Sequence, residues 1–256
     1  MSSAPRSDRK PVTLTKLAEM RALGEPIVMV TAYDHPSAVV VDQAGVDVVL
    51  VGDSAANNVL GYEDTVPVTV EELLMLASAV RRGLRTPLLV GDLPFGSYEA
   101  SDAQAIATAR RFVKEAGCDG VKLEGGGTMA ERARAVLEEA LELQDAGCFA
   151  IVFEAIPADV TDVIMGQMEI PVIGIGAGAS TDGQVLVLHD LLGIHGGFQP
   201  KFVKRYADVR GEMLRGLEDY AEEVRTRQFP APEHTYGIAP EELHRLKQQL
   251  RERQHT

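Results

Sequence analysis

Four acids stand where an apolar run ends: Asp53 after VVLVG, Asp92 after LLVG, Glu124 after VKL and Glu154 after AIVF. A single acid at such a point is ordinary turn chemistry, because its side chain accepts from a following amide and caps the next helix. Four in matching positions point further. Successive acids are separated by about one strand–helix unit, so in a parallel sheet they all fall at C-terminal strand ends. Carboxylates gathered there raise one another's pKa unless a cation sits among them. Oxygen ligands with no Cys or His cluster favour Mg2+, which takes one or two protein carboxylates and leaves positions for water and substrate. Lys122 lies two residues before Glu124 and so on the same side of its strand. It reads either as a contact for an anionic substrate or as an ion-pair partner of a neighbouring acid.

The elements that must position these residues are legible as alternating patterns. Short apolar runs, mostly rich in β-branched residues, occur at 27–33, 46–51, 87–91, 119–123, 148–153, 171–176 and, more weakly, 184–188. They have the length and composition of strands buried on both faces. Amphipathic stretches from Val70 to Arg82, Ala103 to Ala116 and Met129 to Ala146 separate some of them. Such alternation calls for an α/β fold with a parallel sheet and right-handed crossovers, open or closed into a barrel. A weak repeat favours the barrel: AGVDVVLVGD, AGCDGVKLE and AGCFAIVFE each run from Ala-Gly through a strand to an acid. In a barrel, the C-terminal strand ends converge on one mouth.

Bulk properties narrow the partners. The net charge of -13 argues against nucleic acid or an anionic membrane surface, both of which select clustered positive charge. A small molecule, with a cation, fits better. The start, MSSAPRSDRKPVT, lacks a secretory apolar core and no run reaches membrane-span length, so a cytoplasmic location is expected. Cys118 and Cys148 each follow Ala-Gly at a strand entrance and read as buried thiols rather than a disulfide or zinc site. GIGAG at 174–178 reads either as a phosphate cradle or as small residues that permit close approach. His189-Asp190 reads as a relay pair or as an ordinary hydrogen-bonded histidine beside an acid. The chain is expected to form one domain over 1–256, with an N-terminal segment or helix over 1–25 and a helical tail over 237–256.

Longer motifs carry a resemblance. TAYD at 31–34, LVGDSAANNVLGYEDTVPVTVEE at 50–72, DLPFGSYEA at 92–100, VKLEGG at 121–126, PVIGIGAG at 171–178, DGQVLV at 182–187, KFVKRYAD at 201–208 and PAPEHTY at 230–236 resemble the ketopantoate hydroxymethyltransferase family, in its order. The resemblance implies a TIM-type (βα) barrel of the phosphoenolpyruvate/pyruvate-binding kind. It implies transfer of a hydroxymethyl group from 5,10-methylenetetrahydrofolate to 3-methyl-2-oxobutanoate through a Mg-stabilised enolate, giving ketopantoate for pantothenate synthesis. Carried over by motif, Asp53 and Asp92 are metal ligands that also meet the substrate, and Glu124 is a third acid at the metal. Ser54 and Lys122 contact the substrate, and Glu154 accepts the proton. A homo-oligomer, a decamer, is also implied.

One departure from the family is large. Between the VKLEGG strand and the strand ending in Glu154 the family has a further helix, a further strand and a Gly-rich loop. Here only 29 residues separate Glu124 from Glu154, enough for one helix and one strand. About seven βα units are therefore expected instead of eight. Either the seven strands close, or two edges flank a gap of about 10 Å, two strand spacings. A second reading follows from that gap: a non-catalytic or impaired paralogue that binds Mg2+ and a 2-oxo acid. A third is a Mg-dependent 2-oxo-acid lyase or mutase.

Overall fold

All seven expected strands form, and all are parallel. They are β1 (Ile27–Thr31), β2 (Val48–Val51), β3 (Leu88–Asp92), β4 (Gly120–Lys122), β5 (Ile151–Glu154), β6 (Val172–Ile175) and β7 (Gly183–Leu186), in a computed structural model that describes residues 9–124, 140–196 and 199–253. Their order in the sheet is β4-β3-β2-β1-β7-β6-β5. The first strand therefore pairs with the last, Ile27 opposite Gly183, as in a closed barrel. The one interruption between chain neighbours falls between β4 and β5, which form no ladder among the described residues. Of the two outcomes expected for a shortened ring, the sheet of the described residues takes the one with two edges, β4 and β5, and they lie where the family's extra unit would enter.

Strand alternation sorts the core into layers. Met29, Val48, Leu50, Leu88, Val90, Ile173 and Val185 face one another inside the curled sheet, with Val152 and Phe149 partly buried against them. Helix α1 (Leu14–Leu23) adds Leu17 and Met20 to this cluster; it starts on the Thr13 hydroxyl, which accepts from the Lys16 amide, and stops at left-handed Gly24. Val30, Val49, Val51 and Leu89 face outward, against α2 (His35–Gln43) and α3 (Val70–Gly83). A capping box at Thr69 and Glu72 opens α3. Helix α4 (Asp102–Arg111) runs into a π-helical turn at Phe112–Ala116, so the amphipathic stretch 103–116 is helical throughout. On the other flank, Ile151, Phe153 and Val172 pack under α5 (Ala158–Met165). Of the helix expected over 129–146, residues 140–145 are helical and those before 140 lie outside the described residues.

The N-terminal strand ends are held by a device of their own. The Asp47, Asp119 and Asp182 carboxylates accept from the amides of Val28, Leu89 and Val172, the first or second residues of the neighbouring strands. Each acid also pairs with an arginine, Arg9, Arg81 and Arg21 in turn. These acids tie strand to strand and leave the opposite end of the sheet to other chemistry.

The chain divides into two compact units, 1–207 and 208–256. The first holds the sheet, ending in the short helix α6 (Leu188–Leu191) and an irregular segment. The second contains α7 (Val209–Arg225), which buries none of its residues, and α8 (Pro240–Arg253).

Candidate active site

The four acids lie at the C-terminal strand ends, as their spacing predicts. Asp92 and Glu154 are the last residues of β3 and β5, while Asp53 and Glu124 follow β2 and β4 by two residues. Asp92 continues the inward row Leu88–Val90, and Glu154 follows Val152 on the same face of β5. Lys122 stands in register opposite Asp92. The apolar interior thus ends in a polar layer.

Within that layer Asp53, Asp92 and Glu124 each offer a carboxylate oxygen within 4.8 Å of the others. Lys122 bridges two of them: its Nζ donates to Asp92 Oδ2 at 2.9 Å and Oδ1 at 3.1 Å, and to Glu124 Oε2 at 2.6 Å. The Asp53 amide donates to Asp92 Oδ2 at 3.2 Å. Burial pushes the Asp92 carboxyl up to about 6, against the pull of Lys122. Burial and the charge of Glu124 raise Asp53. Burial opposes the charge on Lys122, but Asp92 and Glu124 outweigh it and hold the ammonium above its ordinary range. Glu154 is exposed at the β5 edge, yet partial desolvation and the charge of Glu124 raise its carboxyl. It therefore shares the field of the cluster without contacting Lys122.

Ser54 is positioned by a residue to which sequence reasoning assigned no role. The Tyr33 hydroxyl and Ser54 Oγ lie 2.9 Å apart, and burial pushes the Tyr33 phenol up to about 12. Tyr33 also packs on His189, ring centroids 5.4 Å apart. Burial lowers the His189 pKa, and its Nδ1 has no hydrogen-bond partner among the described residues, so the relay with Asp190 does not form. Tyr98 donates to the Glu124 carbonyl, another contact not anticipated. Both tyrosines lie in runs that carry the family resemblance, Tyr33 in TAYD and Tyr98 in DLPFGSYEA, but neither run says what the hydroxyl meets. The glycines of GIGAG meet neighbouring side chains: a Cβ on Gly176 would stand 2.7 Å from Phe202 and one on Gly178 2.7 Å from Ala158. Close approach accounts for them.

The donor set suits a hard divalent cation. Three carboxylates less one ammonium leave two negative charges, and the acids offer oxygen donors alone, which is the ligand chemistry of Mg2+. Sequence comparison decides what such a site serves. The profile of the family described as ketopantoate hydroxymethyltransferase matches residues 11–138 and 127–232. The chain belongs to the ketopantoate hydroxymethyltransferase family. A relative from Carboxydothermus hydrogenoformans, named 3-methyl-2-oxobutanoate hydroxymethyltransferase, is 43% identical over 272 residues, covering 92% of this chain and 99% of that protein. That alignment is longer than the 256 residues of this chain, so it includes residues this ketopantoate hydroxymethyltransferase homologue lacks. The two family matches overlap at 127–138, in the stretch between β4 and β5, which locates the discontinuity there. Among solved structures, 2,3-dimethylmalate lyase, described as a PEP mutase/isocitrate lyase superfamily member, is 12% identical with a TM-score of 0.51 over 95% of this chain and 98% of its own. Phosphonopyruvate hydrolase in complex with oxalate and Mg++ is 12% identical with a TM-score of 0.52 over 94% and 97%. They show the barrel fold expected for the family.

Proposed function

We propose that this chain transfers a hydroxymethyl group from 5,10-methylenetetrahydrofolate to 3-methyl-2-oxobutanoate, giving ketopantoate for pantothenate synthesis. The observation that carries this reading is the acid cluster with Lys122 at the mouth of a chain of this family. Asp53, Asp92 and Glu124 would hold Mg2+, a choice favoured by their all-oxygen donor set and by the fold neighbour phosphonopyruvate hydrolase, solved in complex with oxalate and Mg++. When bound, Mg2+ supplies Lewis-acid polarisation of the 2-oxo group and so acidifies the C3 hydrogen.

The chain's own residues do the rest. Lys122, held by Asp92 and Glu124, presents positive charge to the carboxylate of the oxo acid, and Ser54, oriented by Tyr33, offers a hydroxyl to it. Glu154 takes the C3 proton. Its carboxyl, raised by burial and by the charge of Glu124, makes it a stronger base than an ordinary glutamate. The electron pair left at C3 forms the new bond to the one-carbon unit of the folate; both bonds from that carbon to the folate nitrogens break, water supplies the hydroxyl oxygen, and tetrahydrofolate leaves with two protons, the one taken from C3 and one from the water. The working form is a homo-oligomer, a decamer in the family pattern, acting in the cytoplasm; among the described residues no helix is long and apolar enough to cross a membrane.

The test separates binding from proton transfer. Glu154→Gln keeps the shape of the side chain but cannot accept a proton. With saturating Mg2+ the oxo acid should still bind, while hydrogen exchange at C3 in deuterated water, followed by NMR, falls by about 10²-fold. Exchange at the unmutated rate would remove Glu154 from the mechanism.

A further inference from the structure

In a parallel sheet the backbone ladder sets each strand's position relative to its neighbour. Among the described residues, every neighbouring pair around this ring has such a ladder except β4 and β5. That interruption divides the site, because Asp53, Asp92, Lys122 and Glu124 belong to β2, β3 and β4, whereas Glu154 ends β5. Through the ladders, β4 reaches β5 only by way of β3, β2, β1, β7 and β6. Small errors of twist and spacing add along such a path.

One side chain crosses the opening directly. Phe149, two residues before β5, lies over Gly120, the first residue of β4: a Cβ on Gly120 would stand 3.0 Å from Phe149 Cε1 and 3.1 Å from Cζ. Gly120 shares the inward row with Lys122, so the ring sits below the polar layer on the row that carries the lysine. Phe149 also packs on the interior cluster, which anchors it from behind. An aromatic ring over a strand glycine is a known means of holding an edge.

We propose that Phe149 is a positioning residue for proton transfer: seated on Gly120, it holds β5, and with it Glu154, at a working distance from the acid cluster across the open side of the barrel. This role rests on the reaction proposed above. Mg2+ and oxo-acid binding use the β2–β4 wall and are insensitive to the opening, whereas proton transfer requires both walls in place. A displacement of about 1 Å costs up to about 10²-fold in rate.

The experiment measures three quantities in Phe149→Ala: C3 hydrogen exchange by NMR, Mg2+ and oxo-acid affinity by calorimetry, and amide hydrogen exchange by mass spectrometry. Expected are a loss of C3 exchange of about 10-fold or more, affinities within about twofold of the parent, and lost amide protection confined to β4 and β5. Phe149→Leu, which refills most of the space, should recover most of the rate. Gly120→Ala, which pushes the ring away, should reproduce the split, and both also serve if Phe149→Ala does not fold. Ile164→Ala, which empties the outer side of β5 and β6, is the control for lost stability alone. An unchanged C3 exchange rate in Phe149→Ala and Gly120→Ala overturns the proposal, as does an equal rate loss in Ile164→Ala. A parent chain with no C3 exchange would sink the reaction, not this role. Amide protection in β4 and β5 then decides the role, and its retention in Phe149→Ala overturns it.

Discussion

Asp92 and Asp53 look alike in sequence, each following Gly at the end of an apolar run, but the fold gives them different tasks. The Asp92 side chain is 2% exposed and holds Lys122 through both oxygens, and Lys122 is itself 17% exposed. Removing that charge leaves a largely buried ammonium with Glu124, whose side chain is 55% exposed, as its remaining ion-pair partner among the described residues. Asp92→Asn should therefore weaken Mg2+ and oxo-acid binding and also lower unfolding stability by about 2–4 kcal/mol. Asp53→Asn removes a half-buried carboxylate that makes no ion pair with Lys122, and should weaken the same ligands at a smaller stability cost, about 1 kcal/mol. Calorimetry and urea titration of the two variants check this contrast; equal stability losses would show that Lys122 does not depend on Asp92. Alternation along β4 put Lys122 on the side of the acids, but which acid it meets depended on the register of β3 with β4.

At the level of elements, the sheet is organised by what each strand end carries. Asp47, Asp119 and Asp182 tie strand amides together at the N-terminal ends, and the site acids occupy the other ends. The repeat AGVD and AGCD contained two of those structural acids in plain view. They went unrecognised because their partners, Val28 and Leu89, are known only once strands are paired. Ring closure between β1 and β7 depends on a third kind of residue. Gly183 sits so close to Ile27 that a Cβ there would stand 2.3 Å from the Ile27 carbonyl oxygen and 2.8 Å from Ile173 Cδ1. Backbone cannot give way as a flexible side chain can. Gly183→Ala should cost about 3 kcal/mol or more, read as a fall in the urea midpoint, with amide protection lost first in β1 and β7. A loss below about 1 kcal/mol would mean that the two strands part easily.

For the whole molecule, the consequence of the shortened chain is an uneven one. The acid cluster, Lys122 and the β1–β7 closure are all in place, while one side of the ring between β4 and β5 has no ladder among the described residues. Proton removal uses residues that are present; docking a bulky folate over the mouth would draw on the unit that is missing. Inserting the family's helix, strand and loop between Gly127 and Thr128, a point outside the described residues, should therefore raise ketopantoate formation by about 10²-fold. C3 exchange should change much less. Both rates, measured with saturating Mg2+ in the short and extended chains, check this. Full transferase activity in the short chain would show the unit to be dispensable.

What the sequence determined by itself was local and periodic: seven strands, their parallel sense, the acids at their ends and the side of β4 on which Lys122 stands. Alternation, short β-branched runs and strand–helix spacing depend on near neighbours in the chain, so they can be read without a fold. The missing unit was legible only against the family resemblance, which supplies the helix and strand that the 29 residues between Glu124 and Glu154 have no room for. Only the tertiary structure decided where the ring opens, that Tyr33 meets Ser54, and that Phe149 rests on Gly120. Those are contacts between residues far apart in sequence, and no local pattern encodes them. They arise when seven strands of fixed handedness curl around one apolar interior and leave side chains from different strands face to face.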